Sequence, residues 1–317
     1  MKRYVTFLAL MALAGALLQT QSSCTSGDKS ARTTDQTIRL GAMRSMDFLP
    51  FAVARECGIY DSLGLKAELT DFFAANERDI ALQAGKLDAT VTDYTGVALQ
   101  VSGGVDASLV MPLDGVFYCA MTPNAAKQEA TAQTPLKIAG SWGTVIDYLT
   151  DLMLPLPQEA VKREEIKKIP LRLEMLRNGK IDCTVLPDPF ATMAQQSGAV
   201  ITQSSAGIQT QVTGLLVLNN FKEEHPQALK KLIEGYNLAV ERIAAAPRED
   251  VNRWLVQYAG APQEIAGQIV LPRYRKAQIP QAADLQQAVN WLVRKEALPQ
   301  DFSLAASQMI DTTFIPR

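Results

Sequence analysis

A ten-residue pattern occurs twice in this 317-residue chain, and it narrows the folds open to the sequence more than any other feature. The first copy carries Leu82, Gly85, Lys86, Leu87, Asp88, Thr90 and Val91. The second carries Leu176, Gly179, Lys180, Ile181, Asp182, Thr184 and Val185, with the aspartates 94 positions apart (182 − 88). Each copy reads as a helix end running into a buried strand. Glycine supplies the residue that closes a helix, lysine sits well beside the negative end of the macrodipole, and a β-rich run follows. Each strand then meets a turn: Thr92, Asp93, Tyr94 and Thr95 in one copy, Pro187, Asp188, Pro189 and Phe190 in the other. Ligands of open α/β sheets sit beyond the carboxyl ends of the strands. A chain that builds this corner twice is expected to form two similar α/β lobes with a cleft between them.

The remaining sequence fits that plan. A strand is expected over 37–42, a polar loop over 43–47, and then a helix with Pro50 near its start and Gly58 past its end. Residues 66–73 alternate like a strand, and Asn76 can cap the helix that ends at Gly85. A helix over 95–102 and strands over 107–111 and 115–121 follow, and alternation of this kind predicts parallel sheets. After a loop at 122–135 the plan repeats: a strand over 136–139, a turn at 140–144, a helix to 154, a strand over 163–169 and a helix over 171–178. The β-rich run 211–218 carries the chain back. Everything after Pro226 reads as helix, with Leu229, Leu232, Ile233, Tyr236, Val240 and Ile243 on one face at 3.6-residue spacing. Further helices are expected over 248–258, 264–269 and 281–294. Crossings near 118–122 and 214–220 would form a two-strand hinge. Residues 37–120 and 219–317 then make lobe 1, residues 121–218 make lobe 2, and the C-terminal helices cover lobe 1.

The N-terminus gives the compartment. Met1, Lys2 and Arg3 form a positive n-region, and 4–18 is an apolar run of signal-peptide length, too short for a comfortable permanent span. Ser22, Ser23 and Cys24 resemble the end of a bacterial lipoprotein signal. Residues 1–24 are thus expected to be a signal with Cys24 as the lipid anchor, and the polar, apolar-poor 25–36 a flexible tether. Ordinary cleavage near Ser23 is the alternative. The expected location is the periplasm or cell envelope, tied to a membrane. A net charge of −2, with no basic stripe interleaved with aromatics, argues against a nucleic-acid partner. Cys57, Cys119 and Cys183 are too few and too scattered for a disulfide framework and have no metal-site spacing. They read as small buried hydrophobes, and the sequence does not say whether any two of them pair. His225 is the single histidine, so no Ser/His/Asp set can be assembled. Without a phosphate loop, zinc motif or nucleophile elbow, neither an enzyme nor a cofactor is expected.

The chain resembles the solute-binding proteins of ATP-driven (ABC) importers, in the branch that serves nitrate, sulfonates, taurine and the thiamine-precursor pyrimidine. The matching residues are Leu49, Pro50, Phe51 and Ala52, then Cys57, Gly58, Ile59 and Tyr60, Gly64 and Leu65, and the two Gly-Lys-apolar-Asp repeats. Gly140 and Ser141 before a helix, Asp188-Pro189-Phe190, Asn219-Asn220-Phe221 and His225-Pro226 also match. The resemblance spans nearly all of 37–315. It implies a type II periplasmic-binding fold, a monomer whose two lobes close on a small-molecule solute, and an ABC permease and ATPase as partners. An enzyme on the same fold, of the pyrimidine-synthase or menaquinone-pathway dehydratase kind, is the alternative function.

Candidate ligand contacts follow from the strand ends. Gly140 to Thr144 opens a helix, so Ser141, Trp142, Gly143 and Thr144 can offer N–H groups, hydroxyls and a stacking ring to a ligand; a plain helix cap is the simpler reading. In the first lobe Ser45, Met46, Asp47 and Phe48 follow the first strand, and Asp93, Tyr94 and Thr95 follow the first repeat strand. Asp188 takes the equivalent place in the second lobe, where relatives more often carry Glu. Asp93 and Asp188 acting together would suit a ligand bearing N–H donors and oppose a simple inorganic anion. Arg44 is the only basic residue in these loops, so a bare sulfonate or nitrate would depend on backbone donors. The expected solute is a small organic molecule, sulfonate- or taurine-like or thiamine-precursor-like, with an aromatic or nitrogen-bearing part.

Overall fold

The computed structural model describes residues 37–208 and 210–315; the expected signal segment, Cys24 and the 25–36 tether lie outside them. The chain first runs through β1 (Thr37–Met43), α1 (Leu49–Glu56), α2 (Ile59–Ser62), β2 (Lys66–Phe72), α3 (Ala75–Gln83), β3 (Ala89–Asp93), α4 (Tyr94–Ser102) and β4 (Ala107–Leu113). It continues through β5 (Phe117–Met121), β6 (Leu136–Gly140), α5 (Val145–Met153), β7 (Val161–Glu165), α6 (Ile169–Arg177), β8 (Cys183–Pro187), α7 (Phe190–Gln196) and β9 (Val200–Ser204). It returns through β10 (Thr213–Leu218) to α8 (Asn219–Glu224), α9 (Pro226–Ala245), α10 (Arg248–Trp254), α11 (Gln263–Ala266) and α12 (Ala282–Arg294).

Both copies of the repeated pattern fold alike. α3 and α6 end at Gly85 (φ +65°) and Gly179 (φ +59°), a conformation that glycine adopts without a Cβ penalty. The Gly85 and Lys86 N–H groups donate to Leu82 O and Ala81 O, and those of Gly179 and Lys180 to Leu176 O and Met175 O. That is the double bond set of a Schellman motif, and it satisfies carbonyls the helix leaves over. The repeated aspartate then ties the next strand to its neighbour. Asp88 Oδ2 accepts the Arg39 N–H at 2.7 Å while the Asp88 N–H donates to Arg39 O at 2.9 Å. Asp182 makes the same exchange with Lys137, at 2.8 Å both ways. The motif therefore sets the register of a central strand in each lobe.

Two five-stranded sheets result, in the orders β2-β1-β3-β10-β4 and β7-β6-β8-β5-β9. The order is the same in both once the reversed strand is placed fourth. Three expectations need correction. The sheets are mixed rather than parallel, because β10 runs antiparallel to β3 and β4, and β5 runs antiparallel to β8 and β9. β5, expected in lobe 1, pairs in the second sheet, and β10, expected in lobe 2, pairs in the first. The crossings accordingly fall at 114–116 and between Ser204 and Thr213 rather than near 118–122 and 214–220. Each visiting strand enters from the neighbouring lobe and so starts at the carboxyl ends of the parallel strands, Thr213 opposite Asp93 and Phe117 opposite Pro187. Nothing in an unbroken apolar run such as 213–218 tells which sheet will pair with it.

The third correction concerns the C-terminus. α9 packs on α1 and the first sheet, placing Leu229, Leu232, Tyr236 and Val240 in that lobe's core as the spacing predicts. Residues 269–281, however, form an irregular strap rather than helix. It is pinned by Tyr274 Oη donating to Met46 O at 2.7 Å and by Arg275 N and Nε donating to Asp114 at 2.7 and 2.9 Å. α12 does not cover lobe 1 alone. It packs on α4, yet Trp291 also meets Tyr148 of α5 with ring centroids 5.3 Å apart and donates to Asp151 at 3.0 Å. One apolar cluster accordingly mixes Val97, Leu149, Leu285 and Leu292 from α4, α5 and α12.

Candidate functional site

A cavity of about 60 Å³ lies where the strand ends of both lobes face each other. The first lobe contributes Ser45 and Asp47 from the loop after β1, Arg78 from α3 and Thr92 and Asp93 from the end of β3. The second contributes Ser141, Thr144, Lys167 and Arg172, and Thr213 of β10 closes one side. Met43, Val91, Phe117, Val145, Ile146 and Ile169 make the rest of the wall apolar. Its volume corresponds to roughly four to six water-sized spheres.

Arg172 is the unusual member. It is 1% exposed on α6, among Ile169, Leu173 and Leu176 of that helix's buried face. Its Nη1 donates to Ile166 O at 2.7 Å and to Lys167 O at 3.3 Å, while its Nε is buried with no partner. No carboxylate among the described residues forms an ion pair with it. Burial pushes its guanidinium down to about 10, which still leaves it charged at neutral pH. An interior cation without an anion is costly unless something supplies the negative charge. Arg78, also buried, is differently placed: Nε and Nη2 bind Asp79 at 2.9 and 2.8 Å, Nη1 binds Val91 O and Nη2 binds Thr92 Oγ1 at 2.7 Å. Its charge is already matched by Asp79.

The acidic side of the cavity is buried as well. Desolvation raises the Asp47 pKa, against bonds from Ser45 and Thr213 and the nearby Arg78 charge. Desolvation likewise raises Asp93, against the Arg78 charge, Thr95 Oγ1 and the Gly96 N–H. Asp93 is the N-cap of α4, accepting the Gly96 N–H at 2.6 Å. The cavity wall thus carries two buried guanidinium groups, the exposed Lys167 whose ammonium lies 3.8 Å from Glu165, and two carboxylates that burial makes harder to ionise.

The structure gathers Ser45, Asp93, Ser141 and Thr144 of the expected contacts on the cavity wall and puts the others elsewhere. Met46, Phe48 and Tyr94 are core residues at 2%, 2% and 1% exposure, and Tyr94 lies against Gly214. Thr95 is buried and donates to Asp93 Oδ1. Trp142 folds over Gly140, with the Arg163 guanidinium 5.5 Å from its ring centre. The Gly143 N–H donates to Asp147 Oδ2 at 3.2 Å, and Thr144 caps α5 through Ile146 N. Asp188 is 4% exposed, accepts from Thr192 N and Oγ1 at 2.9 and 2.8 Å, and has its pKa raised by desolvation. Arg44 pairs with Asp71 and does not line the cavity. The backbone donors expected to do most of the work of holding a bare anion are joined at the cavity by Arg78, Lys167 and Arg172, from outside the strand-end loops first considered. The signal for Arg172 lay in the sequence: it occupies the apolar stripe 169, 172, 173, 176 of its helix, where a cation has no packing reason to be.

No family model matches the chain, and no curated protein matches it in sequence. Solved structures match it in fold. The periplasmic aliphatic sulphonate-binding protein of Escherichia coli aligns with a TM-score of 0.71 at 16% identity, over 87% of this chain and 97% of that one. The fold is that of the periplasmic binding proteins. The periplasmic nitrate-binding protein of Synechocystis has a TM-score of 0.72 at 13% identity, covering 87% of this chain and 85% of its own. The desulfurization enzyme DszB matches with a TM-score of 0.61 at 14% identity, over 88% and 93%. At such identities the likeness is one of architecture: two α/β lobes of the type II periplasmic-binding fold. The wall of this chain's cavity holds neither histidine nor cysteine.

Proposed function

We propose that this chain is the solute-capturing component of an ABC importer and that its solute is a small organic anion of the alkanesulfonate kind. Arg172 carries the reading. A buried guanidinium with an unpartnered Nε, on the wall of a cavity shared by both lobes, is matched by a compact oxyanion head bound through charge-assisted hydrogen bonds. Ser141, Thr144 and Lys167 supply further donors, and Val91, Phe117 and Val145 take a short apolar tail. Asp47 and Asp93 add acceptors, so an amino group on the tail, as in taurine, is accommodated on the first-lobe side. This replaces the thiamine-precursor expectation: an uncharged pyrimidine leaves Arg172 unmatched.

Capture requires no covalent step. Solute docks on one lobe, the lobes close over it at the two crossings, and the closed form is what a permease reads. Export through the 1–24 signal and anchoring through Cys24 belong to the same proposal, as does a monomeric working state. The enzyme alternative is the weaker reading because the cavity wall offers no histidine or cysteine for nucleophilic chemistry. A thermal-shift panel of short alkanesulfonates, taurine, nitrate and the thiamine-precursor pyrimidine tests the assignment. Stabilisation by the sulfonates is the expected outcome. Stabilisation by the pyrimidine alone, with the sulfonates inert, refutes it.

A further inference from the structure

Two cysteines outside the cavity form a pair that the solute-binding reading does not use. β5 and β8 run antiparallel with Cys119 opposite Val185 and Met121 opposite Cys183, so the two cysteines are diagonal neighbours on one face of the sheet. Both are fully buried, and their sulfurs stand 3.5 Å apart. Closing them to a disulfide needs an approach of about 1.5 Å, the difference between 3.5 Å and a bond length of about 2.05 Å. In the folded sheet the shared hydrogen bond lowers the Cys119 thiol pKa, against burial, and raises that of Cys183. Neither lines the cavity, and no group of three metal-ligating side chains exists among the described residues, so metal binding does not explain the pair. Cys57 is exposed at the end of α1 and forms no disulfide among the described residues.

We propose that Cys119 and Cys183 are an oxidation site that closes to an intramolecular disulfide between β5 and β8 when the chain folds in the presence of a small disulfide oxidant. One of the two thiolates attacks one sulfur of the oxidant, forming a mixed disulfide and expelling one thiolate. The other cysteine's thiolate then attacks the sulfur of the first and expels the second. The protein loses two electrons and two protons, and the oxidant is reduced to two thiols. Because both thiols are sealed from solvent in the folded sheet, the exchange takes place while β5 and β8 are pairing. The bond fastens β5, which arrives through the 114–116 crossing, to β8, which presents Pro187 to the cavity. The chemistry depends on these strands alone and stands whichever solute is bound.

The three cysteines fall on separate tryptic peptides, 56–66, 87–127 and 181–222, with Cys24 on 4–29. The test is to refold the full chain from denaturant in a buffer of oxidised and reduced glutathione. Free thiols are then alkylated under denaturing conditions, and the chain is digested without reductant and weighed. The expected result is 87–127 linked to 181–222, with Cys57 alkylated. The Cys57→Ser variant, refolded the same way, should lose on the order of 5–10 °C in Tm when dithiothreitol is added. Alkylation of both Cys119 and Cys183, a link from either to Cys57 or Cys24, or a Tm of Cys57→Ser indifferent to reductant overturns the proposal.

Discussion

At the scale of single residues, the proposed function rests on a charge that the fold leaves unmatched among the described residues. Arg172 has two backbone carbonyls as acceptors and no carboxylate, so it contributes to binding what it withholds from stability. Arg172→Met is expected to cost short alkanesulfonates about 100-fold or more in affinity by calorimetric titration. The same change should hold or raise the Tm of the solute-free protein, whereas a purely structural arginine would lower it. Asp47 and Asp93 set the pH dependence. Their folded pKa values are raised, so they stay protonated to higher pH folded than unfolded. Their contribution to stability is fully present below the ordinary value of 3.8 and is lost as pH rises through the raised values. Sulfonates keep their charge throughout this range, so affinity should strengthen as the pH is lowered and these two walls become neutral. Asp47→Asn should bind more tightly than wild type at neutral pH and show a flatter affinity profile; an unchanged profile would place Asp47 outside the solute's field.

At the scale of elements, the duplicated pattern was legible because each part of it acts locally. Gly85 and Gly179 close helices within five residues, and the two aspartates bind the strand next door. Gly85→Ala and Gly179→Ala should each cost about 1 kcal/mol, since alanine must adopt the same positive φ. Asp88→Ala should cost about 1–2 kcal/mol and Asp182→Ala less, because Asp88 also receives the Arg39 guanidinium. Urea midpoints at constant slope would measure both pairs. Equal and negligible losses would mean the motif does not hold register. What was not legible depends on distant partners. The runs 117–121 and 213–218 read as strands, but their sheets are chosen by tertiary contact. The general reading of everything after Pro226 as helix fails over the strap 269–281, between the named helices, which is held irregular by bonds to Met46, Asp114 and Asn237. In the site, residues beside strand ends were found where they formed turns, whereas Met46, Phe48 and Tyr94 show that an aromatic or sulfur side chain there can equally complete the core.

At the scale of the whole molecule, two lobes share one cavity, two crossings and one bridging helix. In the proposed closure the crossings would serve as the hinge, and α12, packed on α4 and bonded to α5, would limit how far the lobes part. Trp291 and Lys295 near the end of α12 reach Asp151 of α5 at 3.0 and 3.1 Å, and Arg163 bonds to Asp147 of α5 at 2.6 Å. A swing that keeps α4, α5 and α12 packed would open the cavity from the side away from these helices. On the proposed function, solute would act as the missing counter-ion: its head would meet Arg172 of the second lobe and its tail Val91 of the first, favouring the closed arrangement. The most direct test is the radius of gyration from small-angle X-ray scattering, measured with and without saturating ethanesulfonate. The account predicts that the solute-free protein is more extended, that ethanesulfonate contracts it, and that Arg172→Met does not respond. An equal radius in the two conditions for wild type, at a concentration shown by calorimetry to saturate the site, would contradict closure around an anion.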